Sequence, residues 1–458
     1  MVVLLKIVQV ILALSLLVIF HEFGHYSFAK LFKTRVEKFY LFFNPKISLF
    51  KCKRFDGKWH VKFFSPNDDA QWDAHPENTE YGIGWLPFGG YCKIAGMIDE
   101  SMDVEAMKLP PQPYEFRTKK AWQRLLIMFG GVLFNFILAI ILYAAILGTW
   151  GEEYLRNEDA VYGVAVNDLS YEIGFRDGDR ILAFDGVPVE SFSSLQVDLV
   201  RSQAREATVL REGDTLTVGI DPVYLPAMLN TPGMFDLAFP FVVKEVQEDS
   251  PNSVLQADDA LVAVDGQRMF IVQQIQKELR RHRGEEISAA VQRGGAELTL
   301  PLQVDTAGRI GVLLDTDLNR YFHVTTREYG ALSAIPAGAS KAWNTVKGYV
   351  QELGLIFSPK TQAYKSVGSF IAIGRIFPDT WDWYKFWTLC ALLSIMLGVM
   401  NLLPIPALDG GHILFLLFEI LTGRKPSDKF MEVAQWIGMA LLLLLMVLAF
   451  GNDIRSLF

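Results

Sequence analysis

Two histidines and a glutamate near the start of the chain could hold and use a metal ion. The sequence HEFGH over residues 21–25 places His21 and His25 four positions apart. Residues at i and i+4 lie on one face of a helix, so both imidazoles can reach one ion while Glu22 takes a proton from a water molecule held there. Ionisable groups at membrane depth are costly and persist mostly where they bind something. The alternative is an interfacial polar cluster that ends an apolar segment.

A second polar motif, NLLPIPALDGGH over residues 401–412, closes a late apolar run. Catalytic zinc typically takes three protein ligands and a water molecule, so two histidines leave one place for a residue of this motif. Asp409 and, three residues on, His412 are the candidates. The alternative for Asp409 is an Asx-turn or a helix cap for the following segment.

The prolines and glycines of this motif predict its backbone. Pro404 and Pro406 should break the helix that precedes them, because proline lacks a backbone N–H and clashes with the preceding turn. Gly410 and Gly411 should permit a sharp turn. Together they would expose the Asp409 carboxylate toward the protein interior.

Four apolar runs must position the two motifs. They cover residues 2–27, 123–148, 386–408 and 430–450. A helix rises about 1.5 Å per residue and the hydrocarbon core is about 30 Å thick, so roughly 20 apolar residues span it. A hydrophobic fraction of 51% and a mean hydropathy of +0.23 argue against a simple soluble protein and against disorder. The net charge of −8 provides no electrostatic footprint for nucleic acid.

Basic residues near the ends of the runs predict the orientation in the bilayer. Lysines and arginines cluster after the first run, before the second, and between the third and fourth, which places these ends in the cytoplasm. Residues 151–380 are acidic overall and are expected outside the cytoplasm, as are both termini. The chain has three cysteines, too few for a disulfide framework.

The middle of the chain contains an internal repeat. Residues 175–186 and 255–266 share a polar turn, a short apolar strand and a closing Asp-Gly turn. The pattern resembles PDZ domains of the bacterial, circularly permuted kind, which capture extended peptides at a sheet edge. The second copy departs from that pattern with Asp258 where glycine is usual. An equally good interpretation is that both copies are spacers or lids.

The two motifs, the sequence LPFGGYCK over residues 86–93 and the repeat together resemble the site-2 proteases, in the same order and over essentially the whole chain. These are intramembrane zinc metalloproteases. The resemblance implies that His21, His25 and Asp409, rather than His412, bind Zn²⁺ and that Glu22 is the catalytic acid and base. It further implies that Asn401 binds the substrate backbone or steadies the oxyanion.

The resemblance also implies how a substrate is held. A transmembrane helix hides its carbonyls in hydrogen bonds, so the substrate must unwind locally. Residues 46–64 predict a hairpin, and residues 81–93 predict a further strand-like piece in which Gly89 and Gly90 bind substrate. Buried near the site, such strands could add an unwound substrate to a sheet. An ordinary cytoplasmic loop domain is the alternative.

The expected partners and location follow from the same resemblance. Substrates would be single-span membrane proteins, namely an anti-sigma factor already cut outside the membrane and remnant signal peptides. The enzyme would be a multi-pass protein of the bacterial inner membrane, surrounded by the lipid bilayer, with its PDZ modules in the periplasm gating substrate access. Gly130-Gly131-Val132 stands where the family usually has Gly-Pro, and this departure is not expected to touch a ligand.

The predicted fold is a polytopic α-helical membrane protein with four transmembrane helices, membrane-associated β-hairpin segments and two extracytoplasmic PDZ-like α+β domains. The segments are a first span with the HExxH motif (1–35), cytoplasmic or re-entrant β segments (36–120), a second span (121–150), a first PDZ-like domain (155–225), a second PDZ-like domain (226–320), an amphipathic helix and linker (330–380), a third span with the NxxPxPxxDG motif (383–410) and a fourth span (428–452).

Two other functions are compatible with these residues. A zinc-bearing membrane scaffold would keep the metal and use PDZ modules to recruit partners without cutting them. A transporter would also place histidine and aspartate at membrane depth. Four spans are few for a transporter, however, and Glu22 between the two histidines has no necessary role in transport.

Overall fold

The computed structural model describes residues 2–67, 69–97, 110–356 and 370–455. The helices in these residues are α1 (Val2–Leu31), α2 (Ala70–Asp73), α3 (Ala121–Trp150), α4 (Asp168–Ile173), α5 (Leu195–Ser202), α6 (Leu225–Asn230), α7 (Val272–Leu279), α8 (Leu318–Tyr321), α9 (Ala334–Ile356), α10 (Phe370–Ile376), α11 (Trp383–Leu402), α12 (Asp409–Thr422) and α13 (Asp428–Arg455). Parts of two predicted segments, residues 98–109 and 357–369, lie outside the described residues.

The strands of the described chain are short, between two and nine residues each. They are β1 (Val36–Phe43), β2 (Ile47–Phe55), β3 (Lys58–Pro66), β4 (Glu80–Ile83), β5 (Leu86–Ile94), β6 (Glu152–Leu155), β7 (Val164–Val166), β8 (Arg180–Phe184), β9 (Val187–Pro188), β10 (Glu206–Arg211), β11 (Asp214–Gly219), β12 (Phe235–Leu237), β13 (Val243–Val246), β14 (Ala260–Val264), β15 (Gln267–Arg268), β16 (Glu286–Arg293), β17 (Ala296–Gln303), β18 (Val312–Leu314) and β19 (Val324–Arg327).

The chain forms two compact units, each with its own core. The membrane unit contains α1–α3, β1–β5 and α10–α13, and the repeat unit contains β6–β19 and α4–α8. Helix α9 contributes residues to both units.

Four helices of the membrane unit are long and apolar enough to cross a bilayer. They are α1, α3, α11 and the part of α13 over Lys429–Asp453. The four predicted spans are therefore confirmed by length and composition, and together with the sheets they fit a polytopic membrane protein with β segments.

The prediction that Pro404 and Pro406 end the preceding helix is confirmed, and the third span is therefore shorter than the predicted 383–410. Helix α11 ends at Leu402 and a separate apolar helix, α12, begins at Asp409. Pro404 and Pro406 lie between the two, and proline cannot continue the hydrogen-bond ladder of a helix. We call residues 403–408 the motif loop.

The buried face of α1 explains how the first motif is presented. Its buried residues recur every three or four positions and form one stripe, namely Gln9, Ala13, Leu17, His21, Gly24, His25 and Ala29. Such spacing places them on a single helical face. Around the end of this stripe, α1, α3, α12, β1 and β5 share a hydrophobic core that includes Ala29, Ile127, Met128 and Ile413.

A five-stranded sheet follows α1, with strand order β3-β2-β4-β1-β5. The predicted hairpin over 46–64 is confirmed as β2 and β3, joined by Asp56 and Gly57, whose φ angles are both positive, at 50° and 74°. The predicted strand-like piece over 81–93 is two strands, β4 and β5. Strand β5 pairs only with β1 among the described strands, so it forms one edge of the sheet.

The repeat unit consists of two domains of the same design. The sheets β11-β10-β8-β9 and β17-β16-β14-β15 have corresponding strand orders, and each domain has a separate hydrophobic core. The first core reaches Phe235, beyond the predicted boundary at residue 225. Asp258 has a φ of 69°, close to the 91° of Gly178 at the matching position, so the second copy keeps the turn without glycine.

Helix α9 has apolar residues both in the cores and on its surface. Ala342 and Leu353 are buried, whereas Trp343 and Val350 are exposed. The exposed pair lies seven residues apart and therefore on one face.

Candidate metal centre

Three side chains from two distant parts of the membrane unit converge on one point. His21 and His25 come from α1, and Asp409 is the first residue of α12. The His21 Nε2 and His25 Nε2 atoms are 3.3 Å apart. Asp409 Oδ2 lies 3.3 Å from each of them. We call these three residues the metal cluster.

The spacing of these atoms fits a tetrahedral zinc ion. Zinc binds histidine nitrogen and carboxylate oxygen at about 2.0–2.1 Å, and a tetrahedron with such bonds has edges of about 3.3–3.4 Å. The three observed separations, each 3.3 Å, match that edge. In addition, Asp409 Oδ2 is buried without a hydrogen-bond partner, which is costly for a carboxylate unless an ion binds it.

The other nitrogen of each imidazole is held by α3. His25 Nδ1 donates a hydrogen bond to the Ile127 carbonyl at 2.9 Å, which leaves its Nε2 free to bind a metal. His21 Nδ1 lies 3.1 Å from the side-chain amide of Asn135. Both contacts fix the ring orientations before any ion binds.

Glycines allow α3 to approach α1 this closely. A side chain at Gly131 would come within 2.6 Å of His21 Cε1 and closer still to His25 Nε2. A side chain at Gly130 would come within 2.6 Å of the Gly24 carbonyl oxygen. The expectation that the Gly130-Gly131 departure touches no ligand is therefore wrong, since Gly131 packs directly on both imidazoles.

The glycines after Asp409 act differently from the prediction. Gly410 and Gly411 do not have positive φ values and belong to the first turn of α12. Side chains there would come within 2.6 Å of the Leu402 carbonyl oxygen and 2.7 Å of the Ile405 carbonyl oxygen. They are required for close packing of α12 on the motif loop, not for a turn.

The residue of the motif loop with a positive φ angle is Ala407, not a glycine. Its φ is 78°, a left-handed conformation that costs energy for any residue with a Cβ. Its N–H donates to the side chain of Gln435 at 3.2 Å. Helix α13 thereby holds the loop two residues before Asp409.

The far end of α12 is fixed by an ion pair. Arg124 of α3 contacts Glu419, and both side chains are largely buried, at 8% and 17% exposure. Ile413 and Leu416, which lie on α12 between Asp409 and Glu419, belong to the hydrophobic core shared with α1 and α3. Helix α12 is thus held at both ends, which determines where Asp409 points.

The remaining predicted residues of the site lie around the metal cluster. Glu22 is half-buried and acts electrostatically on His25. Asn401, near the end of α11, places its amide nitrogen 3.4 Å from His21 Nε2. His412 is half-buried, but in the described chain it is not a member of the metal cluster.

The two predicted substrate-binding glycines lie in edge strand β5. A side chain at Gly90 would come within 2.6 Å of Val18, one helical turn before His21. Gly89 has a φ of 125° and contacts the ring of Phe43 rather than α1. The structure therefore brings Gly90 to the helix that carries the two histidines.

Several parts of this site are not predicted from the sequence, namely Asn135, Ile127, Gln435 and the Arg124–Glu419 pair. A buried asparagine and arginine within or next to an apolar run were a usable signal, because polar groups at membrane depth usually have a partner. The Ile127 carbonyl carried no signal, since backbone groups are the same at every position.

The sequence of the chain matches a known protein family. The model of peptidase family M50 matches residues 9–65 and 70–445. The chain is 29% identical to the regulator of sigma-E protease RseP of Salmonella typhimurium, and the match covers 98% of each chain.

Two further relatives match over similar lengths. The regulator of sigma-E protease RseP of Escherichia coli is 27% identical, with 98% of each chain covered. A protein named putative zinc metalloprotease from Xylella fastidiosa is 28% identical, with 97% of each chain covered.

Proposed function

The chain belongs to peptidase family M50 and is a zinc metalloprotease of the site-2 type, and from this premise we propose that it hydrolyses peptide bonds within or near the transmembrane segments of single-span proteins. His21, His25 and Asp409 bind the zinc ion. The observation that carries the proposal is the triangle of 3.3 Å separations among their three ligand atoms inside the bundle.

The chemistry divides among the residues around the cluster. Zinc, when bound, lowers the pKa of a water molecule toward about 7 and polarises a carbonyl. Glu22 takes the proton from the attacking water and delivers it to the leaving amine. The Asn401 amide donates a hydrogen bond to the carbonyl oxygen as negative charge develops there. The 3.4 Å distance from Asn401 to a ligand atom supports this role.

A Glu22→Gln variant tests the proposed reaction. Glutamine keeps the size of the side chain but cannot carry the proton, so cleavage of a tagged single-span substrate should fall about 10²–10⁴-fold. Zinc content should stay unchanged. Glu297→Gln, at an exposed position in the repeat unit, is the matched control and should cleave normally.

The same experiment separates the other functions. Unchanged cleavage by Glu22→Gln would defeat the proposed mechanism. Zinc binding without cleavage by the unmodified protein would favour a non-catalytic scaffold. Zinc-dependent ion flux through reconstituted vesicles would favour a transporter.

In the proposed topology both termini lie outside the cytoplasm of a bacterial cell, and the chain is a multi-pass inner-membrane protein. Basic residues at the ends of the spans support this orientation. Residues 152–327 are then periplasmic. A single cysteine placed at exposed Asp214 should react with an impermeant thiol reagent added outside the cell. A single cysteine placed at exposed Lys58 should react only after the membrane is permeabilised.

The proposed substrates are an anti-sigma factor already cut outside the membrane and remnant signal peptides. Their unwound segment adds to edge strand β5, at Gly89 and Gly90, and so reaches the metal cluster as an extended chain. The contact of Gly90 with Val18 of α1 supports this path. Gly90→Val should reduce cleavage of every substrate, because its side chain would displace the strand from α1.

The two repeated domains act as PDZ modules that gate substrate entry, and α9 lies along the outer membrane face. The repeated sheets and the exposed Trp343 and Val350 support these roles. A substrate that keeps a folded periplasmic domain should be refused, and the same substrate without that domain should be cut. Equal cleavage of both forms would contradict the gate.

A further inference from the structure

Asn135 is a completely buried amide beside the metal cluster. Its side chain and backbone have 0% exposure, and its amide nitrogen lies 3.1 Å from His21 Nδ1. Its side-chain oxygen, Oδ1, is buried without a hydrogen-bond partner. An unpaired buried carbonyl oxygen is destabilising, so its position within a packed bundle requires an explanation.

The two possible orientations of this amide have opposite consequences for His21. With the nitrogen toward the ring, Nδ1 must accept a hydrogen bond, and the proton of a neutral imidazole then sits on Nε2. A protonated Nε2 cannot bind a metal. With the amide turned by half a revolution, Oδ1 accepts from Nδ1–H, and Nε2 is free to face Asp409 and His25.

We propose that Asn135 is a positioning residue of the zinc site, whose side-chain oxygen accepts a hydrogen bond from His21 Nδ1–H and so directs Nε2 to the metal. This inference rests on the zinc site proposed above. The turned amide gives Oδ1 the partner it lacks and gives His21 the form that binds zinc. The rotation turns the amide nitrogen away from the ring, so the assignment rests on the form of His21 that a metal requires.

The comparison with His25 supports this assignment. The Ile127 carbonyl of α3 accepts from His25 Nδ1, so that ring already has a backbone acceptor. Asn135 lies eight residues later on the same helix and supplies the corresponding acceptor for His21. Because the Ile127 acceptor is a backbone group, only the partner of His21 can be removed by substitution.

Neighbouring contacts hold Asn135 in place. The hydroxyl of Ser394 on α11 donates a hydrogen bond to the backbone carbonyl of Asn135 at 2.8 Å. Gly398, one turn later, would bring an added side chain within 3.4 Å of Asn135 Cβ, so α11 packs closely on this residue. The amide is therefore supported by a rigid helix pair, as a residue that orients a ligand requires.

The test compares zinc affinity in the full-length protein in detergent, measured by competition with a chromophoric chelator. Asn135→Leu removes the acceptor at similar volume and should weaken zinc binding about 10–100-fold. Asn135→Asp keeps an acceptor oxygen and should bind zinc within about threefold of the unmodified protein. This change is smaller than the loss expected when the acceptor is removed. Asn135→Ala, should leucine disturb the packing, should weaken binding as leucine does.

Gln9→Leu is the matched control. Gln9 is also a buried amide of the bundle, with 1% exposure and an unpaired side-chain oxygen, but its nitrogen donates to Pro378 rather than to a histidine. Its loss should leave zinc affinity unchanged.

Two results would overturn the inference. The first is zinc affinity in Asn135→Leu or Asn135→Ala equal to that of the unmodified protein. The second is equal weakening by leucine and aspartate, since an acceptor oxygen would then be irrelevant. Absence of zinc binding by the unmodified protein would overturn the proposed function as well, whereas zinc binding that ignores residue 135 overturns this inference alone.

Discussion

Buried carboxylates occur both in the membrane unit and in the repeat unit, and their surroundings differ. In the first repeated domain, Asp179 has 0% exposure and is held by Arg211 at 2.7 Å and 2.8 Å and by the backbone N–H of Arg176. In the metal cluster, Asp409 Oδ2 has two imidazole nitrogens at 3.3 Å and no hydrogen bond.

The second repeated domain reproduces the satisfied arrangement. Asp259 also has 0% exposure, and Arg293 and the backbone N–H of Gln256 bind it. Burial raises the pKa of Asp259, but the hydrogen bonds from Arg293 hold that pKa below its usual value. The guanidinium also donates to a backbone carbonyl in both domains, at Gly174 and Val254.

The difference indicates what each carboxylate is for. A buried charge whose partners are all supplied by the chain stabilises one conformation of that chain. A buried charge with an unfilled place needs something that the chain does not supply. Removing the first kind should cost stability and spare zinc, and removing the second kind should cost zinc and spare stability.

The largest expected effect is at Asp409. Asp409→Ala should lower cleavage more than about 10³-fold, equivalent to roughly 4 kcal/mol of transition-state stabilisation, because the zinc ion loses a ligand. In the presence of a metal chelator the variant and the unmodified protein should unfold at the same temperature. A large loss of stability in the chelated variant would show that this carboxylate is structural.

The second effect is at Asp179, whose removal should lower stability without lowering zinc content. Asp179→Ala should destabilise the first repeated domain by about 3 kcal/mol, the low end for a broken buried ion pair. The low end applies because Arg211 keeps 29% exposure and can reach water. Hydrogen exchange of amides in β8 and β10 measures this loss, with exposed Asp214→Ala as the control. Zinc content should not change, and a fall would contradict the comparison.

A third effect concerns packing at the metal cluster. Gly131→Ala should cost about 1–3 kcal/mol, as overpacking does, and should displace one or both imidazoles. Zinc affinity should therefore fall. Gly148→Ala on the same helix is the control, because its side chain would meet Ala334 only at 3.4 Å. Normal zinc affinity in Gly131→Ala would show that α3 can shift away from α1 without disturbing the cluster.

The smallest effect is a pH dependence in the repeat unit. A hydrogen bond with Glu285, together with Glu278 and Asp265, raises the pKa of His282 above its usual value. The resulting stability is fully present below the pKa of the unfolded state, about 6.5, and is lost as pH rises through the raised folded value. Hydrogen-exchange protection in β14 and β16, corrected for the intrinsic pH dependence of exchange, should fall over that range, and His282→Gln should remove the trend.

Local patterns of the sequence predict much of the architecture. Apolar length determines four spans, period-two and Asp-Gly signals determine the hairpin over 46–64, and the repeated turn determines two similar domains. The spacing of His21 and His25 on one helical face is likewise local, because a helix fixes the geometry of residues four positions apart.

Tertiary structure decided the rest. The end of α11 before Pro404 follows from the sequence, but the close packing by Gly410 and Gly411 that directs Asp409 toward α1 does not. Asn135 and Gly131 acquire their roles only when α3 crosses α1. Sequence carries the types of residue a metal needs, whereas the distances among them depend on helix packing between segments separated by hundreds of residues.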